Sequence, residues 1–401
     1  MKRDFDLIIV GAGAVGSALA AALRNSGLSI AILDAREPPR FSSEAEVDMR
    51  VFAISRASQR ILDALGAWET IRMARVSPYR EMHVWDATGS GSIHFDCADV
   101  GEPLLGHIVE NRLIQHALWE QVGNGAHITP IHPVTPAAVE FDAQGVTLVL
   151  RSGRQLRTHL LVAADGAESV TRKLAGIGTR GCSYGQQAIV AHVATEKPHR
   201  CTAWQRFLPS GPLALLPLQD GRSSVVWSLD EGRAGEIRAL DDTGFCAAVT
   251  EASGAILGKA TATTLRAAFP LQLLHARAYV RQGFALIGDA AHVVHPLAGQ
   301  GVNLGLLDAA ALAEVILDAH ARQRDIGDVG VLRRYERARK GGNLAMITAL
   351  DGFKRLFSND IAPLCLLRNA GLSAVDRFTP LKNVFVRRAM GLQGDLPDLA
   401  R

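Results

Sequence analysis

Apolar and polar positions along this chain fall into blocks whose period changes from one block to the next. Phe5 to Val10 is a short apolar run of strand length, rich in β-branched residues. Ala18 to Asn25 reads as helix, ended by Gly27, and Ser29 to Leu33 reads as a second strand. Leu160 to Ala164 and Phe284 to Ile287 are two more apolar strands that run into glycine-containing turns, and a helix is predicted from about Val302 to Asp318. Strand-like alternation marks Glu81-Met82-His83-Val84-Trp85 and Ser224-Val225-Val226-Trp227. Thr135 to Thr158 alternates as well, with Gly145 and Gly153 as punctuation, which predicts a hairpin. Strands that lead through turns into helices place the chain in the α/β class. It has no internal repeat and no low-complexity tract.

Three strand-to-helix turns carry candidate chemistry. The first holds Gly11, Gly13 and Gly16 in a GxGxxG, with Asp34 at the end of the next strand. Gly11 allows a tight turn, Gly13 lets the backbone approach a pyrophosphate, and Gly16 lets the helix lie close to the strand. The helix N-terminus offers unpaired N–H groups to phosphate, and Asp34 is placed to accept from a ribose. The second turn is Asp165-Gly166, followed by Ser169 and Arg172. The third is Gly288-Asp289-Ala290-Ala291-His292, followed by Pro296, Gly299, Gly301, Val302 and Asn303, again a glycine-rich turn entering a helix and suited to an anionic ligand. GxGxxG alone does not separate NAD from FAD, and no second copy offers a separate nicotinamide domain.

Composition narrows the field. The 401 residues are 48% hydrophobic and 21% charged, which excludes a disordered tail or a small disulfide-stapled scaffold. A formal charge of +3 is too balanced for a dedicated nucleic-acid binder, so none is expected as a partner. The charge is uneven, however: from Val331 onward there are 13 basic and six acidic residues. Five scattered cysteines with no CxxC pair argue against a disulfide framework or a zinc site, and no metal is expected. Leu7 to Leu23 carries no charge, but it is short against the roughly 20 residues of a membrane span, and Asp4 and Asp6 spoil a signal-peptide n-region. The chain reads as a cytoplasmic, soluble protein. It has no HExxH, no P-loop and no Ser-His-Asp arrangement.

The three turns together resemble the fingerprints of single-component FAD-dependent aromatic hydroxylases, the class of para-hydroxybenzoate hydroxylase. Asp48-Met49-Arg50-Val51-Phe52-Ala53-Ile54-Ser55, Gln205-Arg206-Phe207-Leu208-Pro209 with Gly211-Pro212-Leu213-Ala214, and His295-Pro296-Leu297-Ala298-Gly299-Gln300-Gly301 resemble the ubiquinone-biosynthesis hydroxylases. The resemblance covers nearly the whole chain. It implies a Rossmann-like FAD-binding domain from residues 1–72, 100–180 and 270–340, interleaved with a β-sheet substrate domain from 73–99 and 181–269. A helical C-terminal segment, 341–401, follows.

The resemblance also implies chemistry. FAD, reduced by NAD(P)H or another donor, would react with O2 to a C4a-hydroperoxide that hydroxylates the ring of a polyprenylated phenol. Asp289 maps onto the ribityl-binding aspartate, Pro296 onto the proline whose carbonyl lies near the reacting oxygens, and Gly299, Gly301 and Val302 onto the flavin edge. Arg50 and Arg112 match positions near the flavin and its phosphates, while Asp165 and Arg172 would organise the FAD domain and the approach of the hydride donor. His292, His192 and Tyr184 are candidates for a base or proton relay. The basic C-terminal segment, with Phe353, Leu356, Phe357, Leu364, Leu366 and Leu367, suggests peripheral binding to anionic membrane. Other enzymes of ubiquinone biosynthesis are conceivable partners. Two alternatives stand beside this reading: a hydroxylase of a soluble aromatic compound, and a non-catalytic flavoprotein subunit.

Overall fold

In the computed structural model, which describes residues 3–295, 299–357 and 362–401, the apolar runs of the sequence become the middle of a parallel sheet. Phe5–Val10 (β1) lies between Ile30–Leu33 (β2) and Gln155–Ala163 (β11), parallel to both. Ile128–Ile131 (β8) extends the sheet beyond β2, and Phe284–Leu286 (β19) and Val280–Arg281 (β18) extend it beyond β11. Leu7, Ile8, Ile9 and Leu160 to Ala163 are wholly buried in one core with helix residues such as Leu19, Leu118 and Leu306 and with Val146 and Leu148 of a packed hairpin, which leaves no polar side to the strands. The predicted hairpin is present as Pro136–Asp142 (β9) and Gly145–Leu150 (β10), attached antiparallel to β11.

The first helix, Ala14–Ala22 (α1), starts four residues before the position read from the sequence. Its N-cap is Gly13, so the GxGxxG supplies the first helical turn rather than a loop ahead of it. Asn111–Gly123 (α4) packs beside α1, Arg56–Ala64 (α2) and Trp68–Ala74 (α3) complete this layer, and Val170–Leu174 (α5) lies against β9.

A second sheet of nine strands runs in the order β20, β17, β12, β15, β14, β13, β5, β6, with β16 paired to β12. Its members are Glu81–Asp86 (β5), Ser92–Asp96 (β6), Thr179–Thr195 (β12), Thr202–Leu208 (β13), Gly211–Pro217 (β14), Ser223–Asp230 (β15), Ala260–Thr263 (β16), Ala267–Ala276 (β17) and His292–Val293 (β20). Glu231–Ala239 (α6) and Asp242–Ser253 (α7) cover its outer face through Ala234, Ile237, Phe245 and Val249. A small third sheet, Val51–Ser55 (β3), Gly106–Glu110 (β7) and Ser77–Tyr79 (β4), bridges the two layers.

Strands β12 and β17 run without a break through residues 180 and 270, where the sequence reading divides the chain. The helical tail does not stand apart either. Gly301–Ala321 (α8) lies against α1, and Val329–Phe357 (α9) passes through residue 341 and continues onto the second sheet. There Phe357 stacks on Phe207 with ring centroids 4.1 Å apart. Ala362–Arg377 (α10) and Thr379–Ala389 (α11) follow, and Arg368 of α10 forms a buried pair with Asp86 of β5 at 2.5 Å. Pro363 lies in the first turn of α10, where its missing N–H costs nothing.

Candidate active site

A cavity of about 1940 Å³ starts at the Gly11–Gly13 turn, passes Asp34, Arg50 and Asp289 to the N-terminus of α8, and continues along the inner face of the nine-stranded sheet to α9 and α11. It exceeds the roughly 300–1,000 Å³ of an ordinary small-molecule pocket, so it has room for a dinucleotide and a second long ligand.

The dinucleotide end is built as the glycine spacing requires. Gly11 has φ +108°, and a Cβ there would stand 2.3 Å from the Ala164 carbonyl oxygen. A Cβ on Gly16 would lie 1.9 Å from the Gly11 carbonyl oxygen, so the helix–strand approach demands glycine. Gly13 differs, because its would-be Cβ meets only the Gln115 side chain at 3.7 Å and otherwise looks into the cavity. Asp34 is fixed by accepting from the Ala12 N–H at 2.8 Å and the Arg36 N–H at 2.9 Å. Arg112 lines the cavity half-exposed, its backbone N–H donating to Asp48 at 3.0 Å. The Arg50 guanidinium lies 5.8 Å from the ring centroids of both Phe52 and Phe269.

The second turn is chiefly a joint. Asp165 accepts from the Ser169 hydroxyl and, at 2.9 Å, from the Thr171 N–H, which starts α5, and it borders the cavity. Arg172 donates to the Ala290 carbonyl at 2.9 Å and the Ala167 carbonyl at 3.0 Å, tying this turn to the third one.

In the third turn Gly288 has φ +60° and lies against Val15. Asp289 faces the cavity and makes no hydrogen bond to any described residue. Burial pushes its pKa up, opposed by His292 and Arg50. Gly299, also at φ +61°, is pressed against Ala53, and Gly301 and Val302 present the first turn of α8 to the cavity. Asn303 holds this arrangement: its amide donates to the carbonyls of Ala53 (2.8 Å) and Gly299 (3.1 Å), and its oxygen accepts from the Ser55 N–H (3.0 Å). Pro296 lies outside the described residues.

These groups fit FAD. An open backbone approach at Gly13, an acid at the end of β2, an unpartnered carboxylate at Asp289 and a 21-residue helix pointing its N-terminus into the same cavity are complementary to pyrophosphate, ribose, ribityl and the anionic flavin edge. Residues 4–347 match the family described as FAD binding domain. The chain is 40% identical over 386 residues to the ubiquinone hydroxylase UbiL of Rhodospirillum rubrum, covering 96% of this chain and 89% of that protein. It is 37% identical over 391 residues to the 3-demethoxyubiquinol 3-hydroxylase of Escherichia coli, covering 98% of this chain and all of that one. The human mitochondrial ubiquinone biosynthesis monooxygenase is 37% identical over 426 residues, covering 94% and 91%. The chain belongs to the ubiquinone-biosynthesis hydroxylases, a family of FAD-dependent aromatic-ring monooxygenases.

Solved structures share the fold of this hydroxylase. The p-nitrophenol 4-monooxygenase PnpA of Pseudomonas putida superposes with a TM-score of 0.78 at 18% identity, covering 97% of this chain and 99% of that one. PqsL of Pseudomonas aeruginosa gives 0.75 at 22%, covering 92% and 99%.

The candidate bases of the hydroxylase need correcting. His292 does not line the cavity; its ring is wholly buried and bonded to Asp308. His192 is buried, is not part of the cavity lining, and donates from Nε2 to the Asp48 carbonyl at 3.1 Å. Tyr184 donates to Asp351 at 3.1 Å, and burial with that carboxylate raises its pKa. The histidine bordering the cavity is His295, which burial holds down at about 4, so the imidazole is neutral. Both its ring nitrogens are sealed from solvent and lack partners among the described residues. Glu81, His83 and His94 converge on β5 and β6, but the two imidazoles stack at 4.1 Å and 27°. A cation in the plane of one ring would sit out of the plane of the other, and His94 is bonded to Glu81 at 3.0 Å instead.

Proposed function

We propose that this hydroxylase inserts one oxygen atom of O2 into the aromatic ring of a polyprenylated phenol, in ubiquinone biosynthesis. The observation that carries the reading is the continuity of the cavity. The space that would hold the flavin extends without a partition past Met346, Leu350 and Phe357 to Phe353 and Phe385, which are 46% and 47% exposed. An apolar passage with its mouth among the C-terminal helices suits a ring that must reach the flavin while its isoprenoid tail leads outward.

Bound FAD supplies the redox chemistry and the activation of O2, with NAD(P)H or another reductant as transient donor. The chain's own residues bind and shield it. The Gly11–Gly16 turn and α1 would receive the pyrophosphate, Asp34 the ribose and Asp289 the ribityl hydroxyls. The α8 N-terminus, steadied by Asn303, would offer N–H groups to the flavin edge that becomes negative on reduction. The walls of the second sheet, with α9 and α11, exclude water from the reacting ring.

The same mouth supports peripheral membrane binding. Among the described residues no helix is long and apolar enough to cross a membrane. Phe385 and Arg388 border the cavity, and Phe378, Val384 and Arg387 are exposed near them along α11, giving that segment an apolar and basic surface. The apolar set differs from the one read in the sequence, because Phe357 is buried, Leu356 is packed inward, and the side chains of Leu364, Leu366 and Leu367 lie outside the described residues.

The test is turnover of the FAD-loaded enzyme with a geranyl-substituted methoxyphenol under labelled O2. One labelled oxygen in a ring-hydroxylated product supports the reading. Flavin oxidation that yields only peroxide with this probe, alongside hydroxylation of a tail-less phenol, overturns the substrate class.

A further inference from the structure

The inner face of the second sheet can be read in rows from its register. One row runs Val84, Gln205, Ala214, Val226, Val190 across β5, β13, β14, β15 and β12, and all five residues border the cavity. Gln205 is the polar member of an otherwise aliphatic row. It is 7% exposed, and its side chain makes no hydrogen bond to any described residue. Its amide is not among the sealed polar atoms, so what remains accessible of it opens to the cavity.

Its position is close to the reaction end. Val84, its neighbour in register, and Phe207, two residues along β13, share one apolar cluster with Val294 and Leu304. Those two residues lie in sequence on either side of Gly299 and the α8 N-terminus. A buried amide with no protein partner costs stability unless something else hydrogen-bonds to it. A carboxamide can accept a phenol O–H and donate to an adjoining ring oxygen at the same time.

We propose that the Gln205 carboxamide orients the substrate by hydrogen bonding to its phenol oxygen, an inference that rests on the phenol hydroxylation proposed above. The ring then lies over the small side chains Ala214 and Val226, with one face turned to the flavin turn. A site built around such a bond discriminates against an analogue that lacks the hydrogen, because the amide is left unpaired.

The experiment uses the oxidised, FAD-loaded enzyme and two probes, a geranyl-substituted methoxyphenol and its methyl ether, with binding read from perturbation of the flavin spectrum. Wild type should prefer the phenol by about tenfold. Gln205→Met, close in length and apolar, should keep FAD content and melting temperature yet bind both probes alike, and should release more peroxide per reductant consumed. If that variant fails to load FAD, Gln205→Asn, which withdraws the amide by one methylene, should narrow the preference. A variant that loads FAD and keeps the wild-type preference overturns the role of Gln205 and leaves the function standing. A wild type that binds neither probe overturns the function itself, and this inference with it.

Discussion

His292 Nε2 lies 2.5 Å from Asp308 Oδ2, with both side chains fully buried between the third turn and α8. Asp308 also accepts from Arg339 at 2.9 Å, Asn343 at 3.1 Å and the Gly288 N–H at 3.2 Å. One carboxylate thus joins the base of the Asp289 turn to α8 and α9. Desolvation alone would raise its pKa; His292, Arg339 and Asn343 outweigh it and hold Asp308 at about 2.

Asp308→Asn should therefore strand the Arg339 guanidinium in the interior. Removing one partner of a buried pair typically costs about 3–5 kcal/mol. The holoprotein should melt at markedly lower temperature, and FAD should bind more weakly because the single amide oxygen cannot accept on both the Arg339 side and the Gly288 side. Arg339→Met placed on top should recover part of the loss. Equal melting of wild type and the single variant would show the network to be idle. Asp308 is a depressed carboxylate, so its contribution is complete above about pH 4 and is lost as pH falls toward 2.

The two ends of the flavin site make separable predictions. Asp289→Ala should lower FAD affinity by one to two orders of magnitude, since a charge-assisted hydrogen bond contributes roughly 1.5–3 kcal/mol. Asp34→Ala should act similarly at the ribose. Flavin titration checks both, and unchanged affinity would make these acids structural caps.

Gly11→Ala and Gly13→Ala should diverge. The first forces a side chain at φ +108° against Ala164 and should prevent folding or lower stability by several kcal/mol. The second has free space and should fold normally while losing FAD, because the methyl fills the pyrophosphate approach. Melting of the flavin-free proteins, beside their flavin content, distinguishes the two, and equal damage to both would contradict the geometry.

The three turns were legible because each follows from backbone demands: a positive φ, a close approach, a helix start. The core strands were legible for the same local reason. What joins these pieces was not. Asp308 reads in sequence as one more helix residue, and Arg368 meets Asp86 across 282 residues with no periodic signal. His292 was singled out because it follows Gly288-Asp289, yet β20 turns its ring into the interior, and His295, three residues on, borders the cavity. Gln205 stood inside a quoted motif, but only the strand register showed which face it occupies.

Acid should weaken the fold well before Asp308 titrates. His107, edge-on to Trp68 at 4.9 Å, is held down at about 4 by burial and Arg56. His295 is held at about 4 by burial and Lys354, with Asp351 opposing. In the unfolded chain both take a proton near 6.5, so between pH 6.5 and 4 the unfolded state binds more protons and stability rises with pH. The contribution is present above pH 6.5 and disappears as pH falls toward 4, by up to about 3 kcal/mol per histidine. Denaturant unfolding at pH 7 and pH 5 should show the loss, and His107→Gln should make the dependence shallower. A pH-independent midpoint over this range would contradict neutral burial.

Binding to an anionic bilayer would combine two kinds of contact. Basic residues near an anionic surface contribute about 1 kcal/mol each and are weakened by salt, while apolar insertion is not. Phe353 and Phe385 at the cavity, with exposed Phe378 at the start of α11, supply the second kind, and Arg388 at the cavity with Arg387 beside it in sequence the first. Flotation with anionic liposomes should therefore show binding that salt reduces. Arg387→Gln with Arg388→Gln should remove the salt-sensitive part, and Phe378→Ser with Phe385→Ser the remainder. Phe357→Ser belongs to a different class: it opens the stack on Phe207 and should lower stability rather than affect the surface alone. A wild type that ignores anionic liposomes at low salt would end the proposal, and the substrate would then have to be delivered by a carrier protein rather than collected from a bilayer.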